Sequence, residues 1–401
     1  MPFATLKDIC RAQGTPYHEL CHDAAPHLVA RRRVTDTQVW KLGSPNVYCG
    51  AVRDAVVFAN SMLYMRDGSY VFHGQTPQSL PNFGGFTDYS DLFIESQKAN
   101  LFTHFVEEEC VYFGGMWAQP NQDVRWGQTE DPNHANMIEA KNFGHFVFEF
   151  LVRMAVFNML GLSERLPLVV CEELPQRWID FVVLAGGSRE RMIRVSAFKP
   201  NAFRKVWVSS ACGHRDQQNR YRIWSAGIHW LRFKMYQSIG GPKLGARRRI
   251  YLGRDVGRRR AVNEPDVIAL LHRYGIEPVA MMELSAREQL ELVSGAEIIV
   301  ASLGAGTLMS YFAPTHCINI ILATKDVGTS IWGGSGAACI LQQPYQRVEC
   351  EAIPREDMQR LNVVGADELA DYRVDLVELQ NVVEAAVKNI ETRQKRDMLQ
   401  I

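Results

Sequence analysis

Residues 297–307 read EIIVASLGAGT, an apolar run of strand length that ends in a glycine turn. The run belongs to a longer alternation between Ile250 and Leu322, in which short apolar segments are separated by segments with helical periodicity. Short apolar strands that alternate with helices are typical of a parallel sheet with helices on both faces. This stretch therefore predicts an α/β fold.

Local signals place the helices of this alternation. Asn263 precedes Glu264-Pro265-Asp266, which predicts a helix with an Asn cap and an acidic first turn. Ser285 and Glu288 have the spacing of a capping box, and the helix that they open should end near Gly295. The strands are then expected at 249–253, 276–282, 297–302 and 318–322.

A chain of 401 residues is too long for one ordinary core and indicates two domains. The segment 240–245, GGPKLG, is the strongest candidate linker. We therefore predict an N-terminal domain over 1–240 and a second domain over 241–365. Residues 366–401 are expected to form a closing helical segment, because apolar residues recur at helical spacing from 375 to about 393.

Three features of the second half point to an anion site. In an open parallel sheet, ligands bind beyond the carboxyl ends of the strands. Gly304 and Gly306 follow one predicted strand there and open a helix, while Arg254 and Arg259 follow another. A helix N-terminus and guanidinium groups both suit a phosphate. Taken alone, the turn favours a plain tight strand-to-helix connection. Met309 stands where a dinucleotide fingerprint needs a third glycine, which disfavours a nicotinamide oxidoreductase.

A polar stripe marks an otherwise apolar helix predicted over 142–162. At about 100° per residue, Asn142, His145, Glu149 and Arg153 lie on one side of that helix. Such a stripe should face water, a cleft or a partner. A histidine four residues from a carboxylate is a candidate general base. A narrow solvent-facing stripe and a satisfied structural network are the alternatives.

Composition excludes several classes of protein. The formal net charge is +0, so the global basic field of a typical nucleic-acid binder is missing. Nine cysteines without a C-x-x-C pair favour reduced, mostly buried thiols in a cytoplasmic protein. There is no apolar run of signal-peptide or membrane-spanning length. Peripheral attachment, for example at the inner membrane face, stays open.

These motifs together resemble glycosyltransferase family 61, whose bacterial members include capsular polysaccharide biosynthesis proteins. The first half resembles the family in the N-x-x-H-x-x-x-E-x-x-x-R pattern that begins at Asn142. The second half resembles it in Arg254, Arg259, Asn263-Glu264, the segment 284–289 and the turn 304–306. The similarity covers about 140–320.

The resemblance implies a GT-B-like fold, with two Rossmann-like domains that face each other across a cleft. It further implies an inverting transfer from a nucleotide-sugar donor to a glycan acceptor. His145 and Glu149 would act at the acceptor hydroxyl, supported by Asn142 and Arg153. The donor would be bound by the second domain through Arg254, Arg259, Asn263, Ser302, Gly304, Ala305, Gly306 and Thr307.

The chain departs from the family pattern at two places. Leu303 stands where the family usually has a histidine, and 320–322 is apolar where a carboxylate is common. The alternatives are therefore a degenerate transferase that serves as a scaffold, or another enzyme such as a pyruvyl transferase or a nucleotide-sugar epimerase. The sequence has no Asp-x-Asp motif, so we expect metal-independent transfer without a cofactor.

Overall fold

The computed structural model describes residues 4–21, 27–32, 37–42, 45–58, 62–65, 71–72, 104–115, 117–120, 137–140, 143–197, 199–215, 221–254, 259–324, 334–353 and 370–399. The chain is a mixed α/β protein, as predicted. It divides into two compact units, Met1–His27 with Leu42–Ser238 and Leu28–Lys41 with Ile239–Ile401. The chain passes from the first unit to the second after Ser238, close to the linker predicted at 240–245. The three domain ranges given above remain a prediction.

The strands are β1 (Tyr17–Cys21), β2 (His27–Arg32), β3 (Thr37–Leu42), β4 (Val47–Phe58), β5 (Met62–Met65), β6 (Val71–Phe72), β7 (His104–Val106), β8 (Cys110–Gly114), β9 (Trp117–Pro120), β10 (Met137–Ala140), β11 (Leu168–Cys171), β12 (Met192–Val195), β13 (Asn201–Ser209), β14 (Gly213–Arg215), β15 (Tyr221–Ile223), β16 (Arg248–Leu252), β17 (Glu277–Pro278), β18 (Ala296–Ser302), β19 (Ile318–Thr324), β20 (Tyr345–Ile353) and β21 (Asp371–Arg373).

The α-helices are α1 (Leu6–Gln13), α2 (Phe143–His145), α3 (Arg153–Met159), α4 (Leu162–Arg165), α5 (Gln176–Leu184), α6 (Ser225–Ser238), α7 (Glu264–His272), α8 (Ala286–Ser294), α9 (Gly334–Leu341) and α10 (Leu376–Leu399). A π-helical segment spans Phe146–Leu151, and short 3-10 helices span Arg189–Arg191, Leu244–Ala246, Met281–Glu283 and Ala305–Phe312.

The first unit contains a mixed sheet with the strand order β12-β11-β8-β13-β4-β5-β6, to which β1 and β7 add at β4 and β13. The strands β12, β11, β8 and β13 run parallel, with helices between β8 and β11 and between β11 and β12. Strand β7 also runs parallel to β13, whereas β1, β4, β5 and β6 pair antiparallel. The connections between β4, β5 and β6 are too short for a crossover. Only the parallel half therefore has the alternation expected of a Rossmann-like domain.

The sheet of the second unit is closer to the parallel sheet that the sequence predicts. Its sheet has the order β17-β16-β18-β19-β20-β21, and all its pairs are parallel except β20 with β21. The apolar strands β18 and β19 are buried along their whole length, which accounts for their continuous apolar sequence. The predicted C-terminal helix, α10, packs into this core through Leu379, Val383 and Ala386 among others. Helix α8 has the predicted capping box of Ser285 and Glu288.

Two predictions of local structure are wrong in part. The strand expected over 276–282 is reduced to β17, because the chain turns into a 3-10 helix at Met281. Asn263 does occupy the N-cap position of α7, but its side chain makes no capping bond. Its amide group instead exchanges two hydrogen bonds of 3.0 Å with the backbone of Val374.

The helix predicted over 142–162 lies in the right place but is not a single α-helix. It begins as α2, passes through the π-helical segment and continues as α3. The amide of Val152 donates to the carbonyl of Val147, five residues back, at 3.3 Å. Such π segments are frequent at functional sites. Asn142 lies outside the described residues.

Within the described ranges, eight cysteines are buried and Cys21 is half-buried, and all nine are free thiols, as predicted. No helix in these ranges is both long and apolar enough to cross a bilayer.

Candidate active site

The second unit brings the predicted anion-binding residues to one edge of its sheet. With strands numbered along this unit, the order is 2-1-3-4-5-6, so the direction of winding reverses between β16 and β18. Ligands of open α/β sheets bind beyond the carboxyl ends of the strands at this switch point. Leu252 pairs with Ala301 there, which places Arg254 and the turn after Ser302 at the same edge.

Arg254 is a half-buried cation at this edge. Its Nη1 donates a weak hydrogen bond of 3.5 Å to the carbonyl of Leu303. Burial lowers the pKa of its guanidinium, and Tyr372 and Asp371 act in the opposite direction. Among the described residues, no carboxylate forms an ion pair with Arg254; Asp371, which acts on it electrostatically, instead binds Arg260 at 2.7 Å. A partly desolvated cation without a salt-bridge partner favours an anionic ligand.

Gly304 makes room for this guanidinium. A Cβ at position 304 would lie 2.8 Å from Nη1 of Arg254, whereas one at Gly306 would meet nothing within 4 Å. The backbone of Gly304 is extended, so its glycine is not required by a left-handed conformation. The close approach to the backbone of Gly304 is therefore made by the guanidinium of Arg254.

The segment after this turn is a 3-10 helix rather than an α-helix. Both the amide and the hydroxyl of Thr307 donate to the carbonyl of Gly304, at 3.1 and 2.6 Å. The hydroxyl of Thr307 is thereby used inside the turn. The amides of Ala305 and Gly306 have no backbone acceptor among the described residues, as expected for a helix start. They are the groups of this turn that can donate to an anion.

Two buried tyrosines that no sequence motif predicted form hydrogen bonds beneath this edge. Tyr372 donates to Oγ of Ser302 at 2.5 Å, and Tyr251 donates to the carboxylate of Glu264 at 2.8 Å. Burial raises the pKa of both tyrosines, so their hydroxyls remain protonated donors. Ser302, which was predicted to contact the donor, is buried and accepts the bond from Tyr372. No local motif marks Tyr372, because it lies 70 residues from its partner.

Arg259 and Asn263 lie on the next segment of this edge. Arg259 has a φ of 62°, a left-handed conformation that is uncommon for a side chain of this size. Its neighbour Arg260 binds Asp371 through both backbone and side chain. Asn263 is buried and is used in its two bonds to Val374. These contacts brace the segment; donor contacts of Arg259 and Asn263 remain predictions.

The first unit presents the predicted acid–base pair. Nδ1 of His145 lies 2.7 Å from Oε1 of Glu149. The imidazole is 23% exposed and the carboxylate side chain only 2%. A neutral imidazole that donates from Nδ1 carries its lone pair on Nε2, so this contact would orient the ring for accepting a proton there.

Arg153 is fully buried below this pair. Its Nη1 donates to the carbonyl of Phe113 at 3.4 Å, and its guanidinium lies 4.6 Å from the ring centre of Phe150. Burial lowers the pKa of Arg153, while the charge of Glu149 and the nearby Cys212 partly oppose this shift. Glu149 and Arg153 are thus buried charges of opposite sign, and the interpretation of the polar stripe as a solvent-facing surface is wrong for both.

Aromatic packing holds the start of this helix at the carboxyl end of β8. The ring of Phe146 lies 6.3 Å from that of Phe113, near the end of β8, and stacks on Trp178 at 4.7 Å. Phe143 contacts Trp178 at 6.0 Å and Phe181 at 5.6 Å. His145 lies between these two anchored phenylalanines, so its backbone has little freedom. The first unit therefore also presents its candidate residue beyond a parallel strand.

No His, Cys, Asp or Glu side chains gather in groups of three or more as potential metal ligands within the ranges that the structure covers.

Residues 143–320 match the model of a protein family described as Glycosyltransferase 61. The match spans both candidate regions, from the helix that carries His145 to the strand after the glycine turn. It confirms the resemblance that the sequence motifs indicated, and it indicates a glycosyltransferase that acts on a sugar donor and an acceptor. No curated protein matches the chain.

Proposed function

We propose, on the premise that residues 143–320 carry the glycosyltransferase 61 region, that this protein is an inverting glycosyltransferase. It would transfer a hexose or pentose from a nucleotide-sugar to a glycan hydroxyl, in the synthesis of a surface or capsular polysaccharide. The observation that carries the proposal is the pair of His145 and Glu149, held at 2.7 Å with the carboxylate buried and the imidazole half-buried.

His145 is the proposed general base. The acceptor oxygen forms a bond to the anomeric carbon of the sugar, while the bond from that carbon to the diphosphate oxygen breaks. The acceptor proton goes to Nε2 of His145, and the bonding electron pair leaves with the nucleoside diphosphate. Attack from the side opposite the leaving group inverts the anomeric configuration. Glu149 is a positioning residue, because it fixes the tautomer and orientation of the ring.

Arg254 is the proposed binding group for the donor diphosphate. It is a half-buried cation at the switch point, and no described carboxylate neutralises it by direct contact. The amides of Ala305 and Gly306 would add donors to the same phosphates. Preorganised donors of this kind stabilise the charge that develops on a leaving diphosphate. Arg259 would contribute a second guanidinium from the segment that Asp371 braces.

The decisive experiment compares the wild type with His145→Ala. First, a thermal-shift screen with UDP-, GDP- and CMP-sugars identifies the donor, since a ligand that binds only the folded state raises the melting temperature. Transfer is then followed by product mass. We expect His145→Ala to lower kcat about 10²–10⁴-fold while its affinity for the donor stays unchanged. A fully active variant would remove His145 from the role of base, and failure of every donor to bind would favour the scaffold alternative.

Metal independence is part of the proposal, because Arg254 and the helix start supply positive charge where many transferases use a cation. We expect transfer rates to be unchanged after dialysis against EDTA. A loss of activity that Mg²⁺ or Mn²⁺ restores would contradict this part and leave the role of His145 to be tested separately.

A further inference from the structure

Helix α6 has a large aromatic side chain exposed on its outer face, with cationic side chains on either side of it. Its inner face buries Gly227, Ile228, Leu231 and Met235. Phe233 points away from that face, and 58% of it is exposed. Surface helices normally place polar residues on the side opposite the core. The exposed ring of Phe233 is therefore available for contact with an apolar partner.

The neighbours of Phe233 on this face are aromatic and cationic. Trp230 and Lys234 lie three residues before and one after it, and Nζ of Lys234 lies 5.7 Å from the ring centre of Trp230. Arg232 donates to the hydroxyl of Tyr236 at 2.7 Å. No described carboxylate forms an ion pair with Lys234 or Arg232. Within the part of the chain that the structure describes, these two cations are not neutralised by direct contact with a carboxylate.

The sequence around helix α6 also contains basic residues and no acidic ones. No Asp or Glu occurs between Asp216 and Asp255, although the chain as a whole has 44 acidic and 44 basic residues. Within the part of that interval that belongs to the first unit, Lys or Arg stands at positions 220, 222, 232 and 234. A local basic segment in a neutral protein indicates a specific anionic partner.

We infer that the face of Trp230, Phe233 and Lys234 on α6 binds an anionic lipid surface. Trp and Phe side chains with Lys or Arg beside them are typical of helices that lie in the membrane interface, where the rings enter the headgroup boundary and the cations meet anionic lipid. An anionic polymer would satisfy the charges but would leave the ring of Phe233 in water. The inference does not depend on the proposed transferase activity.

The test is co-sedimentation of the full chain with vesicles at about 0.1 M salt, where charges within about 10 Å still interact. One set contains phosphatidylcholine alone, and the other contains equal parts of phosphatidylcholine and phosphatidylglycerol. We expect binding to the second set only. Phe233→Ala should weaken it about tenfold, from the lost burial of a phenyl ring. Lys234→Ala should weaken it about fivefold.

Phe105→Ala is the matched control. Phe105 is also exposed, to 41%, but exposed Glu107 and Glu108 follow it on the chain. This variant should bind vesicles as the wild type does, and all variants should keep the wild-type melting temperature. Absence of wild-type binding to the anionic vesicles would overturn the inference, as would equal losses for Phe105→Ala and Phe233→Ala. Binding to dextran sulfate without binding to vesicles would also overturn it, because it would assign the face to an anionic polymer.

Discussion

The two candidate regions handle charge in opposite ways. In the first unit, the buried carboxylate of Glu149 contacts the imidazole of His145, and it acts electrostatically on the buried guanidinium of Arg153. In the second unit, the guanidinium of Arg254 is half-buried, and Asp371, which acts on it electrostatically, is bound to Arg260. The first arrangement sets buried groups of opposite charge near each other, whereas the second presents a cation that no described carboxylate contacts directly.

This difference corresponds to two kinds of chemistry. A general base must hold one tautomer and one orientation, and a buried, compensated carboxylate provides that rigidity. An anion site must keep its charge available, and a charge that is compensated inside the protein has less to offer a phosphate. Both regions lie at the carboxyl ends of parallel strands, so the contrast lies in the side chains rather than in the architecture.

Removing the buried carboxylate should produce the largest effect on stability. Glu149→Ala leaves the charge of Arg153 buried without compensation, and we expect the free energy of unfolding of the first unit to fall by about 3–5 kcal/mol. Urea unfolding measures this loss. Glu164→Ala, which removes an exposed carboxylate of α4, should stay within about 0.5 kcal/mol of the wild type. Equal stability of the two variants would mean that Glu149 and Arg153 do not compensate each other.

Removing the uncompensated cation should affect binding rather than folding. Arg254→Ala should weaken binding of the donor nucleotide about 10–150-fold, from the loss of about 1.5–3 kcal/mol in charged hydrogen bonds. Calorimetry with the sugar nucleotide that raises the melting temperature gives the dissociation constant. Arg248→Ala is the control, because Arg248 is exposed at the opposite end of β16. An unchanged dissociation constant for Arg254→Ala would separate this arginine from the anion site.

The two glycines of the turn give a smaller but more discriminating test. A Cβ at position 304 would displace the guanidinium of Arg254, while position 306 is open. Gly304→Ala should therefore weaken nucleotide binding several-fold without lowering the melting temperature, since the atom that yields is the end of a flexible side chain. Gly306→Ala should change binding less. A larger loss of binding in Gly306→Ala than in Gly304→Ala would contradict this. It would show that the phosphate approaches the backbone at Gly306 and that the position of the Arg254 guanidinium matters less.

Local signals predicted a large part of the second unit. The continuous apolar runs of β18 and β19 indicated buried parallel strands, and the spacing of Ser285 and Glu288 indicated the capping box, because both depend on neighbours close in sequence. The spacing of His145 and Glu149 likewise predicted their contact. The family motifs could be recognised in the sequence for the same reason, because each consists of residues that are close together in the chain.

Other features depend on segments that are distant in sequence. Asn263 has the residue type and position of a helix cap, yet its amide binds Val374, which is 111 residues away. Arg260 and Asp371 are also 111 residues apart in the sequence. Propensity rules describe local competition for backbone groups, so they cannot detect a distant strand that offers a better partner.

The amino-acid order was sufficient for the alternation of strands and helices, the carboxyl-edge position of Arg254 and the glycine turn, and the pairing of His145 with Glu149. These follow from periodicities of two to four residues, which the chain carries in its local pattern. The burial of Glu149 and Arg153, the π-helical segment between them and the use of Asp371 by Arg260 rather than Arg254 arose from packing. Charge compensation depends on which side chains meet in space, and that is a property of the folded chain.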